Sequence, residues 1–140
     1  VYSGISRTAN LIASSYVDKL NTSKKKEVFE LIEFVNEAKK LIKNKKIDEF
    51  GYLLNESWKL KKSLSNKISN DKIDHLYNEG LKQGALGGKL LGAGGGGYFL
   101  FYVPTFKKLS LSSALMKKGY KVESFTFDND GLRSWVSKNK

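Results

Sequence analysis

The 140-residue chain has no cysteine, one proline, one histidine and one methionine. Without cysteine there is neither a disulfide framework nor a thiolate metal site. A single histidine excludes a histidine-cluster metal centre and a His-pair mechanism. No apolar run approaches the roughly 18 residues that a membrane-spanning helix needs. The opening Val1-Tyr2-Ser3-Gly4 has no initiator Met and no basic segment leading into an apolar stretch, so it does not read as a signal peptide. It reads as a chain cut within something longer. Arginine is scarce too: of 25 basic residues only Arg7 and Arg133 are Arg, and the rest are Lys. What is present is 40% hydrophobic and 12% aromatic content, enough for one domain with a real core.

The formal net charge is +11. A basic excess raises nucleic acid as a partner, but the composition disfavours it. Base readout relies on the planar fork of Arg, and aromatic residues are not interleaved with the Lys clusters as a stacking surface requires. The densest cluster, Lys39 to Lys46, closes a segment that opens with Glu27, Glu30, Glu33 and Glu37. Acid early and base late suits a helix dipole, so most of the charge reads as solvated helical surface. A positive field still favours small anionic substrates such as phosphates.

Along the chain, Val1 to Ser3 reads as a strand end and Gly4 to Arg7 as a turn. A helix follows, with Leu11, Ile12, Tyr16 and Leu20 at helical spacing and Ser6 or Thr8 as its cap. Ser23 is a plausible N-cap for a second helix over 24–45, with Val28, Leu31, Ile32, Val35, Ala38 and Ile42 on one stripe. A third helix covers 47–64, and Ser69-Asn70-Asp71 starts a fourth. Gly80 and Gly84 on that fourth helix suggest close packing of its inner face. Tyr98 to Val103 reads as a buried strand ended by Pro104, and 105–118 as a helix stopped by Gly119. Strands are expected over 121–127 and 132–136, joined by the Asp128-Asn129-Asp130-Gly131 turn. The order predicts an α+β domain: a small, mostly antiparallel sheet with helices on one face.

Eight of the 13 glycines fall between Gly84 and Gly97. Successive glycines let backbone N–H groups converge on an anion. The familiar phosphate motifs do not fit. A P-loop would need Gly where Gln83 stands and Ser or Thr where Leu90 stands. A dinucleotide fingerprint runs strand, loop, helix, and here the order is helix, loop, strand. On the residues alone, a phosphate loop and a close-packed structural turn both remain open.

The segment Gly84-Ala85-Leu86-Gly87-Gly88-Lys89-Leu90-Leu91-Gly92-Ala93-Gly94-Gly95-Gly96-Gly97, followed by an apolar strand, closely resembles the third conserved motif of the GHMP kinases. The opening Tyr2-Ser3-Gly4-Ile5-Ser6-Arg7 looks like that family's entry into its C-terminal domain. Leu53 to Lys61, Ile73 to Tyr77 and Phe125 to Asp128 with Gly131 resemble the branch that phosphorylates D-glycero-D-manno-heptose 7-phosphate.

The resemblance implies a ferredoxin-like α+β sandwich forming only the C-terminal half of a bacterial, cytoplasmic kinase that uses ATP and Mg²⁺. The N-terminal ATP-binding domain, which carries the Gly- and Ser-rich loop and the acidic catalytic residue, has no counterpart in this sequence. No catalytic residue or metal ligand is therefore expected here, and the chain alone should be inactive. Lys89, Gly92, Ala93, Gly94, Gly95, Gly96 and Gly97 would complete the ATP phosphate site. Gly4, Ser6 and Arg7 are candidates for the sugar phosphate. The expected partners are that substrate, the N-terminal kinase domain and a second copy through the exposed domain face, with no membrane.

Each candidate has a plainer reading. Arg7 could be a surface cap or interdomain ion pair, Lys89 could snorkel past the loop, and Ser6 and Thr8 could merely cap a helix. Asp71 and Asp74 read as solvated helix-start residues, His75 as a helix-surface residue, and Trp58 and Trp135 as core. Two other functions stay open: a kinase of the same family acting on another small sugar or alcohol, and a non-enzymatic module binding RNA through Tyr98, Phe99, Phe101 and Tyr102.

Overall fold

A computed structural model describes residues 1–135. The α+β class expected from the sequence is observed. Five α-helices occur in the described residues: α1 (Ala9–Ala13), α2 (Lys25–Lys43), α3 (Ile47–Ser63), α4 (Asp71–Lys82) and α5 (Lys108–Lys117). The strands are β1 (Gly87–Leu90) and β2 (Phe99–Tyr102), antiparallel, with Gly87 opposite Tyr102 and Leu90 opposite Phe99.

The helices begin and end where local chemistry favours it. Asn70 caps α4 by accepting a hydrogen bond from the Ile73 amide at 3.1 Å. Gly84, at φ +98°, lies just past its C-terminus. Helix α3 carries Asp48 and Glu49 in its first turn and Lys61 and Lys62 in its last, complementing the helix dipole. Gly80 of α4 sits so tightly against the Phe101 ring that no side chain would fit, which explains a helical glycine.

Two single bridges widen the sheet. Tyr2 bridges Tyr98 on one side and Lys121 on the other. The Phe99 amide donates to the Val1 carbonyl at 2.8 Å, and the Tyr2 amide donates to the Lys121 carbonyl at 2.8 Å. The N-terminal segment is thus a short inner rung between β2 and residue 121.

The core lies between this sheet, α3, α4 and α5. Trp58, Ile68, Ile73, Leu76, Leu90 and Leu115 are wholly buried. Trp58 meets Phe99 edge-on at 5.3 Å, and Tyr77 stacks on Phe99 at 5.5 Å and on Phe101 at 6.0 Å. The Tyr77 hydroxyl donates to Asn55 Oδ1 at 2.5 Å. Burial, with the Glu56 charge adding to it, pushes that phenol up to about 12. Glu79 is buried but paired with Lys118 at 2.9 Å and Lys82 at 3.3 Å, tying α4 to the end of α5.

Several expectations need correction. The first helix is one five-residue piece plus a short 3-10 turn over Val17–Lys19. The Ser14 and Ser15 hydroxyls donate to the Leu11 and Ile12 carbonyls, competing with the helical backbone. Thr8 occupies the α1 N-cap without a side-chain bond, and Lys24, not Ser23, occupies that of α2. The α2 stripe is incompletely covered: Ile32, Val35 and Ile42 are about half exposed, and Leu41 is the residue that buries.

The strand expected over 121–127 is reduced to the bridge at Lys121. The rung that could pair with it is three residues long and turns away at Gly4. Residues 132–135 form no strand, and Val136 lies outside the described residues. With no partner strand to carry it inward, Trp135 is exposed, not core. Gly87 to Leu90, read as loop, is strand β1.

Candidate functional site

The connection from β1 to β2 is the glycine segment. Leu91 N–H donates to Tyr98 O at 2.8 Å and holds its two ends together. Within it the glycines serve close packing. At Gly94 (φ +113°) a Cβ would sit 2.9 Å from the Ile68 Cα, and at Gly96 it would sit 2.7 Å from the Ile5 carbonyl oxygen. The structural-turn reading therefore accounts for much of the run.

The loop amides are unequal. The Gly95 amide donates to the Ile68 carbonyl at 2.7 Å and the Gly97 amide to the Ile5 carbonyl at 3.0 Å. Those two donors are spent inside the fold. The amides of Gly92, Ala93, Gly94 and Gly96 have no protein partner among the described residues. Gly94 and Gly96 are buried, whereas Gly92 is exposed and Ala93 half-buried. The part of the loop best placed to receive an anion is its first turn, Gly92-Ala93.

An open groove of about 430 Å³ runs beside that turn, lined by Tyr2, Ser6, Arg7, Gly92 and Tyr98 among others. Ser6 and Arg7 thus border the same groove as Gly92. Arg7 packs close: a Cβ at Gly92 would lie 3.3 Å from its terminal nitrogen. Its Nε is buried with no hydrogen-bond partner, and Arg7 forms no ion pair among the described residues. A buried guanidinium donor without an acceptor is costly unless a ligand supplies one.

Lys89 is half-buried. It also borders a second, apolar groove of about 300 Å³ between α2 and α3, with Leu31, Phe34, Val35, Phe50 and Leu53. Its stem follows this apolar wall, so the snorkelling reading describes the stem. Gly4 stands apart from the other candidates. It lines a different groove with Lys72 and Lys118, and a Cβ there would lie 2.9 Å from the Lys72 ammonium.

Reasoning from the sequence did not single out Lys61, at the C-terminal end of α3. Its ammonium donates to the Leu90 carbonyl at 3.1 Å and to the Gly92 carbonyl at 2.5 Å. Burial, and then repulsion from Lys89 and Arg7, lower it to about 8. In the sequence it is one of many surface-type lysines, and nothing local distinguishes it.

Other candidates resolve structurally. Asp74 pairs with Lys62 at 2.9 Å and accepts from Ser69, Asp71 and His75 are exposed, and Trp58 is core. The strand aromatics do not make a base-stacking face: Phe99 is buried and Phe101 is stacked against Tyr77 and Phe99. Among the described residues no group of three or more His, Asp or Glu could hold a metal ion, and no helix is long and apolar enough to cross a membrane.

Comparison with known proteins agrees with this picture. The family described as GHMP kinases C terminal matches residues 38–110. The chain is 34% identical over 137 residues to a D-glycero-alpha-D-manno-heptose 7-phosphate kinase from Campylobacter jejuni, covering 96% of this chain and 40% of that protein. It is 33% identical over 78 residues to a bifunctional fucokinase/GDP-fucose pyrophosphorylase from Arabidopsis thaliana, covering 56% of this chain and 7% of that protein. In structure it is similar to L. major mevalonate kinase in complex with R-mevalonate, with a TM-score of 0.74 and 19% identity over 84% of this chain and 37% of that one. The chain therefore spans well under half the length of each of these relatives.

Proposed function

The chain belongs to the GHMP kinases, matching their C-terminal domain, and we propose that it completes an ATP-dependent kinase of D-glycero-D-manno-heptose 7-phosphate. The observation that carries this reading is the groove between Arg7 and Gly92, where the half-buried Arg7, its Nε buried and unpartnered, faces the glycine loop. The similarity to a heptose 7-phosphate kinase over nearly the whole chain supports the choice of sugar. An N-terminal ATP-binding domain is the partner this reading requires.

In the reaction, the bond between the γ-phosphorus of ATP and its bridging oxygen breaks. A new bond forms between that phosphorus and the anomeric oxygen of the sugar. In such transfers a protein mostly positions groups and screens charge. Lys89 and the first turn of the glycine loop are assigned to the nucleotide phosphates, with Gly94 to Gly97 setting the shape of that turn. Ser6 and Arg7 are assigned to the sugar phosphate, Arg7 offering a bidentate fork. Gly4 acts through the turn that aims them. Mg²⁺ is assigned, with the nucleotide, to the N-terminal domain; among the described residues no group of three or more His, Asp or Glu could hold a metal ion. The acceptor hydroxyl's proton goes to a base outside this chain. The product would feed nucleotide-activated heptose for surface polysaccharide, made in the bacterial cytoplasm.

A second reading is kinase action on another small sugar, favoured by the similarity to a fucokinase over 78 residues. The test is an ATP-coupled assay of the two-domain protein with heptose 7-phosphate, heptose and fucose. Preference for heptose 7-phosphate, lost in Arg7→Met, supports the first reading. Preference for an unphosphorylated sugar supports the second.

A further inference from the structure

Two basic side chains, Arg7 and Lys61, meet at Gly92 at the root of the glycine loop, where a Cβ would lie 3.3 Å from the Arg7 terminal nitrogen and the carbonyl accepts from the Lys61 ammonium at 2.5 Å, and the charge of a third, Lys89, acts on Lys61. Arg7 comes from the N-terminal segment, Lys61 from the end of α3, and Lys89 from β1. All three are half-buried, and none has an acidic partner among the described residues. Several other lysines pair with acids one turn away, as in Lys24–Glu27, Lys46–Glu49 and Lys59–Glu56. Clustered, desolvated like charges oppose folding unless something compensates them.

An ammonium has three N–H donors. Two of those on Lys61 go to the Leu90 and Gly92 carbonyls, which leaves one. Arg7 adds the buried Nε that has no acceptor.

We propose that Arg7 and Lys61 form one anion site for the sugar phosphate group, in which Lys61 is the positioning residue that couples the anion to the loop. The proposal deepens the kinase reading, on which it rests for the class of ligand. Lys61 holds the Gly92 carbonyl and the anion with the same ammonium, so anything that keeps it charged also fixes the first loop turn. An arriving phosphate offsets the repulsion from Arg7 and Lys89 and keeps Lys61 protonated. Anion binding and loop order then form one equilibrium. The charged groups that act on Lys61 are Lys89 and Arg7, so nothing acidic substitutes for the ligand.

The test is inorganic phosphate titrated into the 140-residue chain at pH 7, followed by NMR of the lysine ammonium groups and the glycine amides. Phosphate should move Lys61 from about 8 back toward the ordinary lysine range. The Gly92 and Ala93 amides should shift with the same dissociation constant. Lys61→Met and Arg7→Met should each weaken phosphate by about tenfold or more, the expected loss for one charge-assisted bond. Lys61→Arg should restore part of it. Lys59→Met, on the same helix but paired with Glu56, should change nothing.

Unchanged phosphate affinity in folded Lys61→Met, or no saturable binding by the parent chain, would overturn the site. If Lys61→Met does not fold, unchanged affinity in folded Arg7→Met overturns it instead. Failure here with heptose 7-phosphate turnover intact in the two-domain protein would remove this site and leave the kinase reading standing.

Discussion

The Lys61 ammonium at the end of α3 donates to the Gly92 carbonyl oxygen at 2.5 Å, so a helix terminus holds the first turn of a loop 31 residues further along the chain. The same lysine reaches the Leu90 carbonyl at the end of β1. Helix, strand and loop are therefore fixed at one point, and that point borders the basic groove.

The pH dependence of stability should report this lysine. Lys61 is lowered to about 8 from 10.5. Between those values the unfolded chain binds more protons than the folded one, so stability rises with pH across that window and is independent of this group below it. Denaturant titrations from pH 7 to 11 in phosphate-free buffer should show the rise, and Lys61→Met should flatten it.

Glu79 should control acid stability. Hydrogen bonds from Lys118 and Lys82 hold its carboxyl below the ordinary range. Its contribution is present above the ordinary carboxylate value and is lost as pH falls through the lowered one. Glu79→Gln should lose stability at pH 7 and show a shallower decline in acid, read from thermal melts between pH 2 and 7.

Gly96→Ala should show that loop packing and ligand chemistry are coupled. The added methyl meets the Ile5 carbonyl and the Arg7 side chain. Overpacking of this kind costs about 1–3 kcal/mol. Because Arg7 must move, phosphate affinity should fall as well. Urea unfolding and phosphate titration of the same variant check both, and normal stability would contradict the close packing seen at this turn.

Trp58→Ala should be among the most damaging core changes. Trp58 is wholly buried between Phe99 and Tyr77. Emptying such a site costs about 3–5 kcal/mol. A urea midpoint close to that of the parent chain would contradict the core described here.

The α3, α4 and β2 elements were legible because their periodicity and caps are local. Asn70 caps α4 where the sequence places a cap, and the Gly80 position is explained by the Phe101 ring it touches. Strand β1 was hidden because Gly87 and Gly88 have low strand propensity and draw their stability from α3 packed along them. The strand expected over 121–127 failed for the opposite reason: its alternation is sound, but its partner is three residues long. Glycine composition pointed to the loop, and the resemblance to a kinase motif pointed to Lys89. Lys61 could not be found that way, since its role arises from the carbonyls it meets across the fold. Gly4 was placed with Ser6 and Arg7 by sequence proximity, yet the turn carries it to another groove.

The central claim is that this chain completes a heptose 7-phosphate kinase. The most direct measurement is the rate of ATP-dependent phosphorylation of heptose 7-phosphate by the two-domain protein and by the 140-residue chain alone. Robust turnover by the first, negligible turnover by the second, and formation of a sugar bisphosphate are the predicted results. Comparable turnover by the chain alone, or none on this sugar by the two-domain protein, would contradict the account.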